Sequence, residues 1–262
     1  MIRLHRIKAM LLNYYYLSIN SLDRIFDVVY WPLLDIFIWG FMTHFIQGIS
    51  DFNILNVILG GIVLWVFIWR ATQDLVVYLL ESYWSRSIYH LFVTPLKSAE
   101  FVISLAIMGL IRSFIAFATM SILAYLLYGF TILQFNLFHI AMLIGILILF
   151  AWSLGIFISS FIFLLGTRVQ VLAWSVIWII QPFSCVFYPL SALPGWAAKI
   201  AVLLPTTHVF ENLRATINGL PLNYGSLLYS LIFIFVFFIL ASLFLGYSVK
   251  KARSKGHFAK PE

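Results

Sequence analysis

The sequence predicts an all-α integral membrane protein: six transmembrane helices, an N-terminal interfacial helix, a cytosolic helix between the second and third spans, and extracellular re-entrant helices. Three observations carry this. Hydrophobic residues make up 63% of the 262 positions and charged residues only 10%, against about 25% charged in an average soluble domain. The mean hydropathy is +1.04. The apolar residues also fall into long runs, and about 20 of them suffice to cross a bilayer as a helix.

The first element is basic and amphipathic. Leu4, Ile7, Leu11, Tyr14 and Tyr15, then Leu22, Ile25 and Phe26, recur at near-helical spacing, while Arg3, Arg6, Lys8 and Asp23 take other faces. Such a stripe predicts a helix over residues 1–27 lying along the membrane surface; the alternative is a cytosolic extension of the first span. No short apolar region with a small-residue cleavage site precedes it, so insertion is expected through the spans themselves.

Six apolar runs follow: Val28–Ile46, Ile54–Ala71, Phe101–Tyr128, Phe138–Leu165, Val169–Tyr188 and Tyr224–Val249. The third and fourth exceed one bilayer thickness and must tilt or extend into water. Span four carries Ala151, Gly155 and Ser159 at four-residue spacing, a register that lets helix backbones approach closely in lipid. With six spans, Arg3, Arg6, Lys8, Arg24, Arg70, Arg86, Lys97, Arg168 and the basic tail from Lys250 to Lys260 fall on one side, whereas Gln47–Asn53 and Gly129–Asn136 contain no lysine or arginine. The positive-inside rule then predicts a multi-pass protein of the inner (plasma) membrane with both termini cytoplasmic. Lys199 and Arg214 are the exceptions. Residues 1–262 form one membrane domain without internal repeats, and the net charge of +7 reflects topology rather than nucleic-acid binding.

The polar stretch Glu81–Glu100, ESYWSRSIYHLFVTPLKSAE, lies between two apolar runs. Helix is predicted over Glu81–Val93, stopped by Pro95, whose ring clashes with the preceding turn. Ile88, Leu91 and Phe92 would form an apolar ridge with Tyr83, Trp84 and Tyr89 beside it, suited to a groove on a partner or to burial among headgroups. Two ionisable residues enter apolar runs. Asp35 lies 7 residues into span one and Arg112 11 residues into span three, about 10 and 17 Å deep at 1.5 Å per residue. Charges at such depth normally face a partner or a wet cavity. Asp35 and Arg112 can pair, can each be satisfied locally, or can contact substrate. In span five Trp174, Trp178, Gln181, Cys185 and Tyr188 share one stripe, with Pro182 kinking it; this stripe either lines a path or packs on another helix. Cys185 reads as a small core residue without an intrachain disulfide. Over 189–222, Pro189, Pro194, Pro205 and Pro221 cut the chain into two pieces, about Trp196–Leu204 and Thr207–Asn218, each too short to cross. Glu211 and Arg214 stand at i,i+3 for a local pair.

Catalytic readings find no support. There is no G-x-x-x-x-G-K-[ST] phosphate cradle, no H-E-x-x-H metal spacing and no G-x-S-x-G nucleophile turn. The expectation is a transport protein, not an enzyme, with no catalytic, cofactor-binding or metal-binding residues. An ion-coupled secondary carrier is the alternative; that class needs deep ionisable residues and often paired broken helices, and no such pairing is visible.

Three stretches resemble the permease subunits of type-2 ATP-binding-cassette exporters. They are VVYWPLLDIFIWGFM at Val28–Met42, FVTPLKSAE at Phe92–Glu100, and YPLSALPGWAAKIAVLLPTTHVFENLRATINGLP at Tyr188–Pro221. Ser85-Arg86-Ser87 departs from the glycine-threonine pair that many members carry there. The resemblance implies two six-span subunits, as a homodimer or heterodimer, facing each other in membrane lipid. It further implies that each docks a separate cytosolic ATPase, which binds the ATP and magnesium, through residues 81–95, where Glu81, Trp84, Arg86, Ile88, Leu91, Phe92 and Pro95 stand. The stretch around Pro194, Pro205, Glu211 and Arg214 is then the outer gate. The expected cargo is hydrophobic or amphipathic: a drug, a lipid or a glycan-lipid.

Overall fold

A computed structural model describes residues 3–47 and 54–254; residues 48–53 of the predicted loop Gln47–Asn53 and the tail beyond Ser254 lie outside the described residues, as do the side chains of Gln47, Ile54, Tyr89 and Phe92. Ten α-helices follow in order: α1 Leu4–Ile19, α2 Leu22–Gln47, α3 Ile54–Trp84, α4 Ser87–Val93, α5 Ser98–Tyr128, α6 Leu137–Leu165, α7 Leu172–Phe183, α8 Gly195–Leu203, α9 Pro205–Ile217 and α10 Tyr224–Ser254. No strand occurs among the described residues. Among the described residues, five helices (α2, α3, α5, α6 and α10) are long and apolar enough to cross a membrane.

The expected fifth span, Val169–Tyr188, is shorter than the sequence suggested. A 3₁₀ turn occupies Gly166–Val169 and α7 ends at Phe183, just past Pro182. Ser184 follows, then Cys185 at φ 55°, which reverses the chain. Span two is longer than expected. Instead of stopping at Ala71, α3 runs 31 residues to Trp84, because no glycine or proline interrupts 62–94 and its charged residues find partners. Arg70, read from sequence as an inter-span charge, is therefore a buried mid-helix residue. The N-terminal helix is separate from the first span, broken at Asn20–Ser21, so the continuous-extension alternative does not hold; residues 22–27 belong to α2 instead.

Helix α3 sits at the centre and touches α2, α5, α6, α7 and α9, while α10 packs chiefly on α6. Close approaches depend on small residues. Gly155 of α6 faces the Leu75 side chain, and Thr72 donates to the Ala151 carbonyl at 3.2 Å, which makes the small-residue register on span four a packing face. A methyl group on Gly61 would lie 2.6 Å from the Val186 carbonyl oxygen, so only glycine lets the turn after α7 seat against α3. Phe157 and Phe161 meet Phe237 and Phe244 of α10 at centroid distances of 5.0–6.0 Å.

One end of the bundle gathers α1, α4 and the starts of α2 and α5. Glu100 is fully buried there and forms a capping box with Lys97: its carboxylate accepts from the Lys97 backbone N–H at 2.9 Å and, across the chain, from the Arg3 N–H at 2.9 Å. Arg6 reaches both Glu100 and the Pro95 carbonyl. The Trp84 indole donates to Gln170 at 3.3 Å, which brings the end of α3 to the turn after α6. Arg253 of α10 borders the Thr94–Lys97 loop. At the other end lie the turn 129–136 and the α9–α10 connection, where Asn212 bonds Ser226 and the Asn223 N–H.

Candidate functional site

Between α2, α3, α5 and α7 lies a cavity of about 740 Å³ whose wall combines indole rings with a network of charges. The α3 pattern builds it. Arg70, Asp74, Tyr78 and Glu81 recur every three or four residues, so they share one face of the helix. Arg24 and Asp27 come from the first turns of α2, and Arg112 from the middle of α5.

Arg112 donates to Asp74 at 2.9 Å, to Tyr78 Oη at 3.2 Å, to the Arg24 carbonyl at 3.1 Å and to Asp27 at 3.3 Å. Arg70 reaches Asp27 at 2.6 Å, and Arg24 pairs with Glu81. The Arg24 and Arg112 guanidiniums lie 4.6 and 5.7 Å from the Tyr78 ring centroid, within cation–π range. Three helices are thus joined by alternating charge. A buried ion is tolerated when paired and hydrogen-bonded, which is how so charged a helix face persists among apolar spans. Tyr78 also meets Ser18 of α1 at 2.8 Å and packs on Tyr14. Burial, with Tyr78 and Glu81 close by, raises the Tyr14 phenol above its usual range, so it stays neutral.

The sequence-predicted charges separate. Arg112 takes Asp74 and Asp27 rather than Asp35, which is half-buried in α2 outside the cavity wall. Depth matching suggested the Asp35–Arg112 pair; the continuation of α3 past Ala71 supplied nearer carboxylates. Trp174 and Trp178, four residues apart on α7, do line the cavity, and Trp178 meets Trp69 edge-on at 5.2 Å. Gln181 and Tyr188 lie outside it, the Tyr188 hydroxyl donating to the Pro182 carbonyl. Sequence reasoning missed Arg24, Asp27, Trp69, Gln73 and Asp74. The available signal was the unbroken i,i+3/i+4 spacing from Arg70 to Glu81.

The 81–95 stretch is two helices, not one. Arg86 adopts a left-handed conformation, φ 58°, between α3 and α4. Glu81 and Trp84 end α3, facing the cavity. Ile88 is fully buried against the core and Leu91 partly so, so the expected outward ridge is turned inward at Ile88. The exposed positions are Trp84, Ser85, Arg86, His90, Val93, Thr94 and Pro95; the Phe92 side chain lies outside the described residues.

In the last connection, Pro194 caps α8 and Pro205 opens α9. Glu211 and Arg214 pair at 3.0 Å. Glu211 also accepts from the Leu190 N–H at 2.7 Å, and Arg214 donates to the Cys185 and Tyr188 carbonyls at 2.9 Å. Thr207 donates to the Phe183 carbonyl at 2.8 Å and Thr206 bonds Ser184. These bonds satisfy the backbone where the chain reverses. Among the described residues, no three histidine, cysteine or acidic side chains converge as a metal site.

A comparison with curated proteins returned no match. A family model described as ABC-2 type transporter matches residues 18–218. Permease domains of this kind are the membrane component of transporters, are not themselves catalytic, and work with ATP-binding-cassette ATPase partners. The match spans the cavity, the α3–α4 break and the α8–α9 segment, and on it the chain belongs to the ABC-2 type transporter family as a permease subunit.

Proposed function

We propose that this chain is the path-forming subunit of an ATP-driven exporter, moving an amphipathic molecule out of the cytoplasm through the cavity between α2, α3, α5 and α7. The observation that carries the reading is that cavity: indole rings and internally neutralised charges reaching from the α4 end into an otherwise apolar bundle. Polar side chains at membrane depth belong to a functional pathway by default.

A six-crossing topology is part of this reading, and parity supports it. The turn after α6 and the end of α10 both lie beside residues 84–97. On this reading α10 starts at the opposite end, and α7 with the turn after it traverses the bundle. Arg3, Arg6, Arg86, Lys97 and Arg253 cluster at the α4 end, which supports a cytoplasmic assignment for that end and for both termini in the plasma membrane. A separate ATPase docks there through α4, using Arg86, His90 and Val93, with Ile88 and Leu91 anchoring the helix to the bundle from behind. Helices α8 and α9, with Pro194, Pro205 and the Glu211–Arg214 pair, close the outer end. A second copy of the permease completes the path.

The test joins association and transport. With His90→Glu and Val93→Asp introduced together, co-purification of the ATPase and ATP-driven transport in proteoliposomes should both fall at least tenfold, while the chain's melting temperature stays unchanged. Full association and transport by the double variant would remove docking through α4. Transport that survives without ATP but stops when the proton gradient collapses would remove the ATP-driven reading.

A further inference from the structure

The cavity wall indicates what it holds. Five tryptophans line it, and Trp31, Trp84 and Trp178 are each more than half exposed. Gln73 is 5% exposed, and neither its amide oxygen nor its amide nitrogen has a hydrogen-bonding partner in the protein. Asp74 Oδ2, Arg24 Nη1 and Arg70 Nε are likewise unmet. A buried amide with both ends unmet is destabilising, so a ligand that meets it is favoured.

The chemistry discriminates among ligand classes. A quaternary ammonium group would use the indole faces but offers nothing to the Gln73 amide or the free guanidinium N–H groups. An anion would find Arg24, Arg70 and Arg112 already occupied by Glu81, Asp27 and Asp74, and would have to face those carboxylates. A plain acyl chain would leave every polar atom unmet. A polyhydroxylated ring fits each part: its C–H faces stack on flat indoles, and its hydroxyls both donate, to Asp74, and accept, from Gln73, Arg24 and Arg70. Few, fixed polar groups among aromatic walls are the usual composition of an orienting pocket. We propose that the cavity binds the sugar ring of its cargo, with Gln73 and Asp74 reading the hydroxyls and Trp69 and Trp178 stacking on the ring. This rests on the exporter reading and names the cargo class within it.

The experiment is direct binding to the full-length chain in lipid nanodiscs, followed by saturable change in tryptophan emission. The probes are octyl glucoside and octyl galactoside, each below its micellar concentration, against octyltrimethylammonium and octyl phosphate. At least one glycoside should bind tenfold or more tighter than either charged probe. Gln73→Leu should weaken that glycoside about tenfold, equivalent to about 1.4 kcal/mol, and so should Trp178→Leu, at a position more than half exposed. Equal or tighter binding of a charged probe, or unchanged glycoside binding in both variants, overturns the proposal. Methyl glucoside and methyl galactoside identify the source: binding as tight as the octyl forms means a free sugar, and tighter binding of the octyl forms means a lipid-linked one. Because no ATPase is needed, wild-type protein that transports with ATP yet ignores both glycosides refutes the sugar assignment alone.

Discussion

Arg112 is the residue on which the cavity's electrostatics turn. It holds Asp74 and Asp27 at once, and Asp27 is shared with Arg70, so removing one member leaves others unmatched. Breaking a buried pair from one side typically costs about 3–5 kcal/mol, whereas replacing both partners by apolar residues is often close to neutral. Asp74→Leu should therefore lower the melting temperature in detergent sharply, and Asp74→Leu with Arg112→Leu should recover most of the loss. Asp35→Asn should leave it nearly unchanged, since Asp35 is not a partner of Arg112. A double variant no more stable than Asp74→Leu alone would contradict the pairing. The sequence showed that Arg112 needed a partner but not which one. Asp74 was hidden because a charged run after Trp69 looks like the end of a span until a neighbouring helix is known to neutralise it.

Among the elements, α1 was legible as amphipathic, but its attachment was not. Its stripe of Ile7, Met10 and Tyr14 is buried against the bundle, and its start is tied to α5 through Glu100. Nothing local in FVTPLKSAE distinguishes a carboxylate that caps its own helix from one that also receives the Arg3 N–H 97 residues away. Glu100→Ala removes the cap and the charge-assisted bonds together, so the start of α1 should be held less firmly. Limited proteolysis should then cut faster at Asn20–Ser21, between α1 and α2, than in the parent chain. An unchanged cleavage rate would mean that α1 is held by its apolar face alone. The α3–α4 break was also invisible, because Ser85-Arg86-Ser87 carries no glycine to announce a left-handed residue.

At the scale of the whole molecule, the membrane class and most helix positions followed from apolar run length and from proline punctuation. Helices Gly195–Leu203 and Pro205–Ile217 fall within two residues of the expected pieces. The middle of the chain was harder, since the length of an apolar run does not show where its helix stops, and α7 ends after 12 residues, just past Pro182. The two ends of the bundle can be told apart by labelling. Val93 is 88% exposed on α4 and Trp196 65% exposed on α8, while the native Cys185 is fully buried. In intact cells a membrane-impermeant maleimide should modify Trp196→Cys and spare Val93→Cys, which reacts only after permeabilisation. Labelling of both from one side would invalidate the parity argument.

Helix α3 spans 31 residues without a break, about 45 Å at 1.5 Å per residue. It meets α4 at one tip and, through Gly61, the Val186 reversal near the other. A strut this stiff has no elastic joint in which a displacement can be absorbed. Any tug delivered where α4 begins therefore reaches the far face as rotation or sliding of one solid piece, and the charges along its flank change their spacing in the same stroke.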